Sequence, residues 1–154
     1  MKYIKLTQDK RTIVDNADFN ILSKYRWCFD KSRGYAVSRI DGKVQLLYRF
    51  ILGLKNGEIC DHENRNKLDN RRTNLRLSDK SKNGANRTKQ KNNTSGYKGV
   101  FLMKDGRKKK YMARMKFKGI DFFIGYYYTK KEAALAYNDA AFKNFGEFAY
   151  LNNI

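Results

Sequence analysis

A chain of 154 residues with 34 Lys and Arg against 15 Asp and Glu carries a formal charge of +19, a self-repulsion that calls for a polyanionic partner. The excess runs through residues 1–40, 41–92 and 93–154 alike, so no single basic amphipathic helix aimed at a membrane surface accounts for it, and nucleic acid is the first candidate. Cys28 and Cys60 lie far apart without zinc-type spacing, and no apolar run approaches membrane-spanning length. The expectation is a soluble, cytoplasmic protein built of small modules in series, with no membrane or obligate protein partner and with buried free thiols.

Residues Tyr3 to Leu6 and Arg11 to Val14 read as the two strands of a hairpin. Asp15 or Asn16 is placed to cap a short helix over Ala17 to Tyr25, and strand-like composition returns at Arg26 to Phe29 and Tyr35 to Ile40. Trp27 is expected in the core. From Lys43 the apolar residues Leu46, Leu47, Phe50, Ile51 and Leu54 recur at helical intervals and predict a short amphipathic helix stopped by Gly53. Arg49 is offset from that stripe and is a candidate phosphate contact.

Asp61 to Asn83 reads DHENRNKLDNRRTNLRLSDKSKN and contains the only histidine. Ile59 and Cys60 predict a brief strand ending at Asp61 and His62, a polar loop reaches Asn74, a second strand covers Leu75 to Leu77, and a helix follows Asp79. Neighbours on a regular strand point to opposite faces, so a shared site at Asp61 and His62 predicts a bend at this pair. The residue types suit phosphodiester hydrolysis, which needs a water nucleophile, a proton acceptor and positive charge near the leaving oxygen. His62 suits proton acceptance, because an ordinary imidazole is largely neutral at cellular pH. Asp61 with Asn83 offers hard oxygen donors for one Mg²⁺ or Mn²⁺ per site, completed by water and substrate phosphate. Such a site is expected to bind metal weakly without DNA.

Asp61-His62, then Asn74 after eleven intervening residues and Asn83 after eight more, with DNRRTNLR between, resembles the HNH (ββα-metal) nucleases of the homing type over about residues 44–92. The resemblance implies His62 as general base, Asp61 and Asn83 as metal ligands, and Asn74 as the residue that orients His62 and fixes the loop. It also implies Arg72 and Arg76 facing phosphate. Asn83 replaces the histidine of many relatives, as in an HNN subset, and Tyr48 stands where the preceding helix often carries a histidine.

Arg87 to Ser95 is polar and basic and reads as a linker that lies along DNA. Beyond it YKGVFLM, KKKYMARMKF and IDFFIGYYY predict a three-stranded antiparallel meander. In the middle strand Tyr111, Ala113, Met115 and Phe117 alternate with Lys110, Met112, Arg114 and Lys116, an apolar face backed by a cationic one suited to a DNA groove. Thr129 with Glu132 forms a capping box for a helix with a mostly alanine stripe of Ala133, Ala136, Tyr137 and Ala140. GYKGV, the IGYY turn and the helix sequence resemble the plant ethylene-response-factor (APETALA-type) DNA-binding domain over about residues 95–153. That resemblance implies DNA contacts at Lys98, Arg114, Lys116 and Phe123.

The expected fold class is α+β. It comprises an N-terminal β-rich segment (1–43), a central ββα-metal module (44–86), a basic linker (87–94), and a three-stranded sheet packed on one helix (95–154). The expected function is site-preferring, metal-dependent cleavage of double-stranded DNA to 5′-phosphate and 3′-hydroxyl ends. The alternative is a non-catalytic DNA-binding regulator with a decayed nuclease module.

Overall fold

A computed structural model describes residues 1–154 and has an α+β architecture, with 27% helix and 31% strand, so neither type dominates. The chain forms two compact units, Met1–Asp79 and Lys80–Ile154.

The first unit opens with an antiparallel hairpin of β1 (Lys2–Lys5) and β2 (Arg11–Val14), as the two β-favouring runs predict. Helix α1 (Asn16–Leu22) follows, with Asp15 at its N-cap position. The Asp15 carboxylate makes no cap bond and instead accepts from the Arg72 backbone amide at 2.8 Å. Strands β3 (Cys28–Asp30), β4 (Tyr35–Ile40) and β5 (Lys43–Leu46) form an antiparallel meander. The helix predicted from Lys43 therefore begins later, as α2 (Leu47–Leu52), because Lys43 to Leu46 pair with Ile40 to Val37 and their backbone groups are spent on the sheet. Gly53 closes α2 in the left-handed region at φ 61°, a conformation glycine adopts without a Cβ clash.

The unit ends in a two-stranded ribbon, β6 (Ile59–His62) against β7 (Leu75–Ser78). Val14, Leu22, Trp27, Ala36, Leu47, Ile51, Cys60 and Leu75 share one core, so hairpin, meander, α2 and ribbon are packed together. Trp27 is buried there, and its indole N–H is satisfied by the Leu22 carbonyl at 2.9 Å. Both cysteines are free; Cys28 is half-buried and Cys60 is buried.

The second unit begins with α3 (Lys80–Asn86) and contains β8 (Val100–Leu102), β9 (Tyr111–Phe117), β10 (Ile120–Tyr127) and α4 (Lys130–Phe145). The sheet order is β10-β9-β8, antiparallel throughout. Alternation along β9 buries Ala113 and Met115 and exposes Arg114 and Lys116, matching the two faces read from the sequence. The predicted capping box at Thr129 and Glu132 is present. Helix α4 buries Ala133, Ala134, Tyr137, Ala141 and Phe145, a stripe shifted from the predicted one because Ala136 and Ala140 lie at its margin. Within this unit α3 is fastened by the Tyr150 amide on the Ala85 carbonyl and the Lys118 amide on the Ser81 hydroxyl. No helix is long and apolar enough to cross a membrane.

Candidate active site

The site is built on the end of the β6–β7 ribbon and the loop that joins its strands. Pairing stays in register through the Asp-His pair, with Asp61 opposite Arg76 and His62 opposite Leu75. The bend expected within the strand is therefore absent. The chain turns only beyond it, where Arg65 enters the left-handed region at φ 64° and its amide bonds the His62 carbonyl. In a regular strand the two side chains leave on opposite faces, and their contacts differ accordingly. The Asp61 carboxylate meets the Arg76 guanidinium at 3.0 Å, whereas the His62 ring packs edge-on against Tyr48, with centroids 5.4 Å apart, and beside Tyr35. Both residues are buried, at 6% and 5% exposure, so the ribbon end is enclosed on each side.

Asparagine chemistry shapes the loop. Asn66 accepts from the Leu68 amide and Asn64 from the Asn66 amide, side-chain turns that tolerate a chain without regular structure. Asn74 spends its side chain on the same loop, accepting from the Asn64 amide at 2.9 Å and donating to the Asp69 carbonyl at 2.7 Å. The side chain that meets His62 is that of Asn70, with its Oδ1 3.2 Å from Nε2. Asn70 was not singled out in the sequence. Its signal was only the density of asparagines between the strands, which does not distinguish a turn former from a partner of the imidazole.

Burial is the main influence on His62 and lowers its pKa below the ordinary value of 6.5, against smaller upward pulls from Asn70, Asp61 and Asp69. The ring is therefore a neutral base at pH 7. Burial raises the Tyr48 phenol, which stays protonated as part of an aromatic wall around His62. The buried Cys60 thiol, pushed up to about 11, is no nucleophile at neutral pH.

The remaining candidates have definite surroundings. The Arg49 guanidinium donates to the carbonyls of Leu54, Lys55 and Glu58, tying α2 to the segment before β6. Arg72 forms a two-pronged bond with buried Asp18 on α1. In the second unit, half-buried Asn83 lies on α3 and Arg87 is exposed just beyond it. The Lys98 ammonium is directed at the Ala85 carbonyl and stands over the Tyr150 ring. Lys110, Arg114, Lys116 and Phe123 are exposed, with Arg114 stacked 4.5 Å over Phe101 and paired in register with Phe123.

A family model described as HNH endonuclease matches residues 45–85, which covers α2, the ribbon and most of α3. An uncharacterized HNH endonuclease of Acanthamoeba polyphaga mimivirus is 40% identical over 140 residues, spanning 87% of this chain and 70% of the viral one. The chain belongs to the HNH endonuclease family. No solved structure matches it. HNH nucleases generally use divalent metal ions. This HNH chain brings no three His, Cys, Asp or Glu side chains together as a preformed cage. The carboxylate that precedes the HNH base in the strand is that of buried Asp61, whose charge is balanced by Arg76. A single carboxylate of this kind fits a hard cation that takes few protein ligands and keeps water and phosphate in its shell.

Proposed function

We propose that this chain is a metal-dependent endonuclease that hydrolyses double-stranded DNA at a preferred site, of the homing type, leaving 5′-phosphate and 3′-hydroxyl ends. The observation that carries this reading is His62, a neutral imidazole enclosed at the ribbon end and preceded in the strand by the buried carboxylate of Asp61, in a chain of the HNH family. His62 takes the proton from the water that attacks phosphorus in line. Asp61, with Asn83 as the second donor read from its spacing, holds Mg²⁺ or Mn²⁺. When bound, the cation supplies positive charge against the scissile phosphate and the departing 3′ oxygen. Asn74 keeps the joining loop in shape, and Arg49, Arg72 and Arg76 brace the frame while adding positive potential along the path of the phosphates.

The second unit acts as a DNA-binding domain of the ethylene-response-factor type. An antiparallel three-stranded sheet with α4 on one face and exposed Arg114, Lys116 and Phe123 supports this assignment. Lys110 and Arg87 extend the cationic surface, and the part of Lys98 is to hold α3 by its carbonyls.

Incubation with plasmid DNA, with and without Mg²⁺, tests the proposal. Cleavage that requires the metal, and that falls by about a hundredfold or more in His62→Ala with DNA affinity retained, is the expected result. Binding without cleavage under every metal condition would establish the non-catalytic regulator instead.

A further inference from the structure

The contacts behind His62 form a chain that has one consistent assignment of protons. Thr12 on β2 donates its hydroxyl proton to the Leu68 carbonyl at 2.8 Å. A hydroxyl has one proton, so towards Asn70, also at 2.8 Å, Thr12 Oγ1 can only accept. The atom facing it is therefore the Asn70 amide nitrogen, which also lies 3.4 Å from the Lys67 carbonyl. The inverted amide would set its oxygen against that carbonyl and against a hydroxyl with no proton left to give. Asn70 Oδ1 is thereby turned to His62 Nε2 at 3.2 Å, and because this oxygen only accepts, Nε2 must carry the proton.

We propose that Asn70, oriented by Thr12, is the positioning residue that keeps His62 in the tautomer protonated at Nε2, which makes Nδ1 the basic nitrogen of the ring. Its catalytic consequence rests on the nuclease reading above. The relay is screened from water, Thr12, Asn70 and His62 being 0%, 1% and 5% exposed, so no solvent competes for these bonds. Its path is non-local: Ile13 donates to the Leu68 carbonyl and accepts from the Asn70 amide, which holds the N-terminal hairpin against the loop. A residue fifty positions before the histidine in sequence thus sets the chemical form of the base.

Because the chain has one histidine, the imidazole nitrogens of the full-length ¹⁵N-labelled protein can be read without ambiguity by long-range proton–nitrogen correlation at neutral pH. The expected result is a proton on Nε2 in the unmodified chain. In Thr12→Val and in Asn70→Ala the population should relax towards the mixture shown by free imidazole. Thr12→Val is close to isosteric and removes only the hydroxyl, so it keeps the test available where Asn70→Ala fails to fold. A proton on Nδ1 in the unmodified chain overturns the proposal, as does an unchanged tautomer in a folded Thr12→Val protein. In cleavage assays Thr12→Val should lower turnover by about tenfold or more while the DNA concentration at half-maximal rate stays within about twofold. The nitrogen spectrum needs neither DNA nor metal. An Nε2 proton in a chain that never cleaves would sink the nuclease reading and leave the relay standing. The opposite pair of results would do the reverse.

Discussion

His62 and Asp69 show how neighbouring buried groups acquire opposite tasks. Burial keeps His62 neutral, whereas hydrogen bonds from the Arg71 guanidinium, the largest influence, hold Asp69 below the ordinary carboxylate pKa of 3.8. Asp69 also accepts from the Asn64 amide group, so its charge organises the loop that carries Asn70. A carboxylate with a depressed folded pKa stabilises the fold above its unfolded pKa, and that contribution is lost as pH falls through the folded value. Asp69→Asn should therefore lower the urea midpoint at pH 7 and flatten the loss of stability on acidification below pH 4. Equal slopes in the two proteins would show that Asp69 is not among the groups behind acid unfolding. Type and spacing singled out Asp61, His62, Asn74 and Asn83 as candidates, since hydrolysis needs a base and hard donors. Asn70 and Thr12 were not, because an amide and a hydroxyl acquire their roles only from what they face.

Elements were legible where local chemistry dictates them. The α4 start is one such case: Thr129 accepts from the Glu132 amide while the Glu132 carboxylate accepts from the Thr129 amide, so two orphan N–H groups are satisfied by the residues that announce them. Thr129→Ala should cost about 1 kcal/mol in denaturant unfolding. The Lys43 to Leu46 segment failed the same reading, because its leucine spacing fits a helix while its backbone is claimed by β4. Gly99 is a position whose importance only packing reveals. It has φ +73°, and a Cβ there would press into the buried Tyr137 ring and lie 2.7 Å from the Arg114 carbonyl. Gly99→Ala should destabilise the second unit by about 1–3 kcal/mol, seen as a lowered thermal midpoint; an unchanged midpoint would mean that Tyr137 yields at little cost.

Charge acts on the protein as one body. With +19 to neutralise, DNA binding should weaken steeply with salt, by about a thousandfold between 50 and 200 mM if some six phosphates are engaged. Replacing Arg114 and Lys116 together by alanine should weaken binding and reduce the salt slope by about two, while leaving turnover at saturating DNA unchanged. A turnover that falls in step with affinity would place these residues at the reacting phosphate instead. With no preformed group of three metal-ligating side chains, metal titration of the free protein should show weak, millimolar Mg²⁺ binding that tightens when DNA is added. Micromolar affinity in the free protein would count against a site completed by substrate.

Residue types and spacings were enough to establish the α+β class, the strand–loop–strand–helix order around His62, the capped helix α4 and the kind of chemistry at stake. These follow from periodicity, capping and the demands of hydrolysis, all carried by residues close together in the chain. Folding added what depends on distant residues meeting. It kept the Asp61-His62 strand regular, turned Arg72 onto Asp18, and brought Thr12 through Asn70 to the imidazole. A hydrogen bond needs its partner within about 3 Å, and no spacing along the sequence reveals which of the loop's asparagines will satisfy that condition.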